Sequence, residues 1–285
     1  MRYILVPATG ADTDAAGFAT ALTTARKLGA HLEFLHVRMD VRETLTAMAS
    51  ADMAGGGGYG LVLDELEQDV AGRQRKAEQA FHDFCEREGL IVSADPFTPA
   101  PTAEWRRETG NEPAWIATHG HAADLLVLGR ASDGEAIDLL EAALMTSGRP
   151  VLIAPAKPLA DLGRVVAIAW KDRPEAARAV TAAQPFLRRA HQVIIFSVTE
   201  EADADTQSCE RLRHALSWQN PAVSVQRLRA DGRPAVDVLL AAAAAAKADL
   251  LVMGGYGHSR VREVIFGGFT RRVLRDADLP VLMSH

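Results

Sequence analysis

The chain has 285 residues, 48% of them hydrophobic and 24% charged, a balance that suits a packed globular fold and excludes disordered or fibrous classes. Its length fits two domains of common size better than one core, and a formal charge of −6 argues against a general binder of nucleic acid or membrane surface, both of which need a positive field. The cysteines, Cys85 and Cys209, stand in no CxxC or metal-ligand spacing, so there is no disulfide framework or zinc signature and a reducing cytoplasm fits.

RYILVPAT (2–9) is too short an apolar run for a secretory signal and predicts a first strand. Thr13–Leu28, rich in Ala and Leu after an Asp-rich start, predicts a helix with suitable charge at its N-terminus. HLEFLHV (31–37) predicts a second strand. Residues 39–60, ending in the glycines 55–58, read as inserted chain, either a mobile loop or a ligand lid. A long amphipathic helix follows over 61–88, then a second, Pro-rich insertion over 95–113 and a short helix over 112–121. AADLLVLGR (122–130) carries the fourth strand, 136–147 a helix, and GRPVLIAPA (148–156) the last strand. KPLADLG (157–163) then supplies the punctuation of a boundary, giving domains 1–157 and 163–285.

The second domain repeats the first. RVVAIAWK (164–171) pairs with RYILVPAT, QVIIFSV (192–198) with HLEFLHV, KADLLVMGG (247–255) with AADLLVLGR, and DLPVLMSH (278–285) with GRPVLIAPA. Helices are predicted near 174–189, 205–218, 234–247 and 267–276. Asp237, Lys247 and Asp249 interrupt the alanine-rich stretch Val236–Met253, which therefore predicts a helix and a strand rather than a membrane span. Apolar strands alternating with helices indicate an α/β fold of two tandem five-stranded parallel sheets, each flanked by helices. The offset between matched positions is 162 at Arg2/Arg164, 125 at Asp124/Asp249 and 130 at Pro150/Pro280. The first half thus carries extra chain before its fourth strand, and the second carries five more residues between its fourth and fifth.

Those five lie in MGGYGHSRVREVIFGGFTRRVL (253–274), which leaves the carboxyl end of the fourth strand and leads into the last helix. Ligands of open α/β sheets bind at that edge, where glycines let backbone approach phosphate and a helix N-terminus offers unpaired N–H groups. The alternative is that Gly254 and Gly257 only turn the chain and that Gly267 permits close helix packing. Arg260, Arg262, Arg271, Arg272 and Arg275 either attract the same anion or are exposed helix positions. His119 and His121 lack the spacing of a metal pair, Trp105–Arg107 reads as a solvated face with one buried ring, and no P-loop or hydrolase motif is present.

The spacing GxxG, nine residues, then two glycines, after DLLVMG and before a helix and PVLM, resembles the nucleotide loop of universal stress proteins. Nearly the whole chain resembles a tandem member of that family, whose fold is also that of the adenine-nucleotide α-hydrolase-like proteins. The resemblance implies ATP or AMP, with or without Mg2+, as a regulatory ligand of a cytoplasmic stress-response protein. It assigns the phosphates to Gly254, Gly257, Gly267 and Thr270, with His258, Gly268 and Phe269 contributing mainly backbone and Asp172 near the nucleotide. Relatives carry Ser or Thr where Gly268 stands, and Lys171 occupies the usual place of the Asp. The first half reads RASDGEAIDLLEAALMTSG (130–148) at the matching point: Gly129 is kept, Ser132 replaces the second glycine, and Asp133, Glu135, Asp138 and Glu141 bring negative charge, which predicts loss of nucleotide binding there. The other reading is a stress protein that binds no nucleotide and acts through protein contacts or another small ligand held by the first domain. No general base for ATP hydrolysis is evident. In the family the last strands pair across a dimer axis, so the resemblance implies pseudo-twofold pairing of the two domains, which covers their apolar last strands and leaves room for a homodimer.

Overall fold

A computed structural model describes residues 1–44, 46, 59–130, 134–157, 159–199, 206–255 and 268–285. Among them the chain runs β1 (Tyr3–Pro7), α1 (Asp14–Leu28), β2 (His31–Arg38), α2 (Tyr59–Glu88), β3 (Ile91–Val92), β4 (Thr102–Thr109), α3 (Glu112–Gly120), β5 (Leu125–Leu128), α4 (Gly134–Thr146) and β6 (Val151–Ile153). It continues through β7 (Val165–Ala169), α5 (Pro174–Ala182), α6 (Gln184–Leu187), β8 (Gln192–Thr199), α7 (Thr206–Ser217), β9 (Val223–Arg229), α8 (Ala235–Ala245), β10 (Leu250–Gly254), α9 (Gly268–Asp276) and β11 (Val281–Ser284). No helix among the described residues is long and apolar enough to cross a membrane.

The strands form one eleven-stranded sheet in the order β3-β4-β2-β1-β5-β6-β11-β10-β7-β8-β9. The five-stranded sheets expected of the two halves are joined through their last strands, and the short β3 adds an eleventh strand at the edge. The last strands of the two halves, β6 and β11, pair antiparallel through Val281–Ile153, Leu282–Leu152 and Met283–Val151, so each covers the other's open edge. Every other pairing is parallel. The alternation of side chains along each strand sends Ile4, Phe34, Val127, Leu152, Val166, Leu250 and Leu282 to one face. There α1, α2, α5, α6 and α7 cover them with residues such as Phe18, Phe81, Val180, Phe186 and Cys209. Leu5, Leu126, Ile153, Ile194, Leu251 and Met283 face the other side, under α3, α4, α8 and α9.

Two further expectations change. Residues 102–109, inside the segment read as a Pro-rich insertion, are the strand β4, paired with β2 over its full length. The helix expected over 174–189 is split into α5 and α6, because Pro185 has no N–H to continue the ladder. The glycine tract 55–58 lies outside the described residues.

The repeated Asp in AADLLVLG and KADLLVMG has a shared task. Asp124 Oδ2 accepts from the amides of Arg2 and Tyr3 at 2.5 and 3.2 Å, and Asp249 Oδ1 accepts from Gly163, Arg164 and Val165 at 2.8, 2.9 and 3.1 Å. Each carboxylate fastens the start of the central strand of its own half.

Candidate functional site

In the second half, β7 leads outward to β8 and β9, while β10 pairs with the other edge of β7 and leads to β11. The connections therefore reverse between β7 and β10, the position where open α/β sheets bind ligands. Two of the sequence candidates flank this point. Gly254 ends β10, and Asp172 follows β7 in the turn Trp170–Arg173 that leads into α5. Gly268, Phe269 and Thr270 form the first turn of α9. Thr270 is buried, Phe269 is partly exposed, and no described atom lies within 4 Å of where a Cβ on Gly268 would stand. Gly257, His258 and Gly267, with Arg260 and Arg262, lie outside the described residues.

Gly254 has a reason to be glycine that involves no ligand. A Cβ there would fall 2.6 Å from the amide nitrogen of Ala176 and 2.8 Å from the carbonyl carbon of Glu175, inside the first turn of α5. Gly129, its counterpart at the end of β5, meets the carbonyl oxygen of Thr13 at 2.5 Å in the same way. The glycine that both halves keep is thus the contact between the fourth strand and the first helix. Gly255 packs against the first half more loosely: a Cβ there would lie 2.8 Å from Leu144 Cδ2, the end of a side chain that can turn aside.

Asp172 sits at the surface and accepts from Arg211 of α7 at 3.0 Å, and Lys171 beside it is exposed. Trp170 donates its indole N–H to Ser208 Oγ at 3.2 Å, which pins the same turn to α7. Among the α9 arginines, Arg272 pairs with Asp237 of α8 at 2.7 Å and Arg275 with Asp276 at 2.6 Å. Arg271 is exposed and has no ion-pair partner among the described residues.

The first half has a cleft of about 460 Å³ at its own reversal point, where β1 and β5 end. Thr9, Gly10, Asp12, Arg73, Lys76 and Glu112 line it. The cations come from α2, far in sequence from the loop that follows β5, so the loop motif gave no sign of them. Asp138 and Glu141, expected to crowd this point with negative charge, do not line the cleft, and Leu139 does. Asp133 and the Glu135 side chain lie outside the described residues. Asp14, at the start of α1, accepts from Thr9 Oγ1 at 2.8 Å and from the Gly10 amide at 2.7 Å. Burial nevertheless pushes its carboxyl above the usual range.

Toward the amino ends of β1, β2 and β4 lies a polar cluster that sequence spacing missed. Glu33 and Glu104 are register partners, both buried. Tyr3 Oη hydrogen-bonds to Glu33 and, at 2.9 Å, to Glu104. Burial, then the bonds to the two carboxylates, drives the Tyr3 phenol far above its usual range. His119 Nδ1 meets Glu33 Oε1 at 2.5 Å and its Nε2 meets Glu108 at 3.4 Å. His119 thus has two acidic partners on neighbouring strands, where spacing along the chain does not reveal them. No three His, Cys, Asp or Glu groups among the described residues are arranged to hold a metal ion. The cluster fastens α3 to the sheet, away from the carboxyl-end clefts.

The model of the universal stress protein family matches residues 164–285. Universal stress protein Slr1230 from Synechocystis sp. is 53% identical over 34 residues, which are 12% of this chain and 12% of that protein. Among solved structures, a universal stress protein from Archaeoglobus fulgidus superimposes with a TM-score of 0.71 at 16% identity, covering 99% of this chain and 97% of its own. A protein described as a putative universal stress protein from Pseudomonas aeruginosa gives 0.59 at 14% identity, covering 100% and 93%. The similarity to these structures shows that the fold extends through both halves.

Proposed function

The second half of the chain, residues 164–285, is a universal stress protein domain, and from that premise we propose that it binds an adenine nucleotide, ATP or AMP, as a regulatory ligand in a cytoplasmic stress response. The observation that carries the reading is the position of the glycine-rich segment, which starts at the β7/β10 reversal and ends in the first turn of α9. In this reading, main-chain N–H groups of 254–270 hold the phosphates, with Gly257 and Gly267 allowing the approach and Thr270 closing the turn. The amides at the start of α9 supply positive potential in place of a lysine. Gly268 leaves out one hydroxyl donor, which weakens the site by about 1 kcal/mol, roughly fivefold in affinity. The first half acts as structural partner through the β6–β11 seam.

Native mass spectrometry of the purified chain, followed by calorimetric titration with ATP and AMP, tests this. One nucleotide per chain is expected. Gly268→Ser, whose Cβ meets no described atom within 4 Å, is expected to tighten binding roughly fivefold, and Gly257→Gln to abolish it without lowering the melting temperature. Unchanged affinity in both variants removes the phosphates from this segment.

A further inference from the structure

On the face of α9 turned away from α8, Arg271, Leu274 and Arg275 recur at helical spacing and border a cavity of about 540 Å³ shared with the first half. Its other walls are the start of α1, α4 and the end of β6. Ile137, Leu140, Ile153 and Pro155 make the interior mostly apolar. Among the described residues that line it, Arg130, Arg271 and Arg275 stand against one acid, Asp12, while Asp276 and Asp278 act on Arg130 and Arg275 from outside the lining.

The three guanidinium groups differ in availability. Arg130 donates to the carbonyls of Leu274 and, at 3.3 Å, Leu279, tying the end of β5 to the carboxyl end of α9. Arg275 is shared with Asp276. Arg271 remains exposed, with no ion-pair partner among the described residues. A pocket of this size with an apolar interior and a few convergent polar groups has the form of a small-molecule site, and Arg271, unpaired among the described residues, sets the ligand's sign from its rim.

We infer that this cavity between the halves binds an amphipathic monoanion, a medium-chain aliphatic carboxylate. The alkyl chain lies against Ile137, Leu140, Ile153 and Leu274. The carboxylate pairs with Arg271, which can meet both oxygens through its planar fork. Asp12 repels the head group and so fixes the orientation, head toward α9. The site is separate from the glycine segment of the second half, and it stands or falls independently of the nucleotide reading.

Titration of the full chain with sodium decanoate tests the inference, with decan-1-ol as the uncharged probe of equal length. Decanoate is expected to bind saturably at one per chain, at least fivefold tighter than the alcohol. Arg271→Glu, at an exposed position, is expected to weaken decanoate at least tenfold with an unchanged melting temperature. Ala16→Phe, which projects into the cavity from α1, is expected to weaken both probes. Arg233→Glu, an equal charge reversal on the loop before α8, is expected to change neither. Absence of saturable decanoate binding overturns the inference, as does equal affinity for acid and alcohol. Equal losses in Arg271→Glu and Arg233→Glu also overturn it, because they reduce the effect to net charge.

Discussion

Asp124 and Asp249 are the clearest case of one residue setting a strand in place. Two or three strand-start amides converge on each carboxylate, and bonds from N–H groups to a charged acceptor are stronger than neutral ones. Partial burial pushes the Asp124 carboxyl up, but the bonds from Arg2 and Tyr3, the chain's amino group and Arg149 outweigh it and hold the group below the usual range. A folded-state pKa below the unfolded value gives stability that is complete above the unfolded pKa, near 4, and is lost as the pH falls through the folded one. Asp124→Asn removes that charge in both states. Urea denaturation between pH 6 and 3 is therefore expected to show a smaller loss of stability on acidification in the variant than in the parent. Equal slopes would place the acid sensitivity elsewhere. Arg130 acts at the same scale across the seam, since its donors meet the Leu274 carbonyl in the last turn of α9, where the helical ladder runs out, and the Leu279 carbonyl just beyond the helix.

Strands and helices in this chain are positioned by close backbone approaches, and Gly129 and Gly254 mark two of the tightest. A methyl group at Gly129 would press on the Thr13 carbonyl oxygen at 2.5 Å, so either α1 or β5 must shift. Gly129→Ala is expected to destabilise the chain by about 1–3 kcal/mol, measured as a lower denaturation midpoint at unchanged slope. Gly254→Ala is expected to do the same through α5. This contact also explains what the sequence could and could not reveal. Apolar runs such as LLVL and LLVM announce buried parallel strands, and their duplication announced the repeated half. Gly129, kept in a half that has lost the rest of the glycine pattern, looked like the remnant of a phosphate loop, because a glycine needed for packing and one needed for a ligand read alike. The strand β4 was hidden for another reason. Glu104 carries charge into the sheet, where Tyr3, His31 and Arg106 receive it, and partners so distant in sequence leave no local pattern. Arg73 and Lys76 line the first-half cleft from a separate helix, so they too were invisible to motif spacing. Of the second-half candidates, the positions of Gly254 and Asp172 beside the reversal followed from the strand order that the repeats imply.

For the whole molecule, the antiparallel joint between β6 and β11 matters most, because both apolar layers run through it. Leu152 and Leu282 are fully buried partners on one face, while Val151, Ile153, Val281 and Met283 continue the core on the other. Gly255 against Leu144 and Arg130 against α9 add contacts between the halves outside the sheet. Two domains that met only through a loose surface would unfold separately, whereas halves that share a sheet and two cores lose their packing together. Leu282→Ala removes a fully buried side chain at the joint and is expected to cost about 2–5 kcal/mol. The cost is expected in both halves at once. Hydrogen exchange of β1 and β5, in the half that carries no substitution, should accelerate by the same factor as that of β7 and β10. If only β7 and β10 respond, the joint transmits no stability and the halves are independent domains that happen to touch.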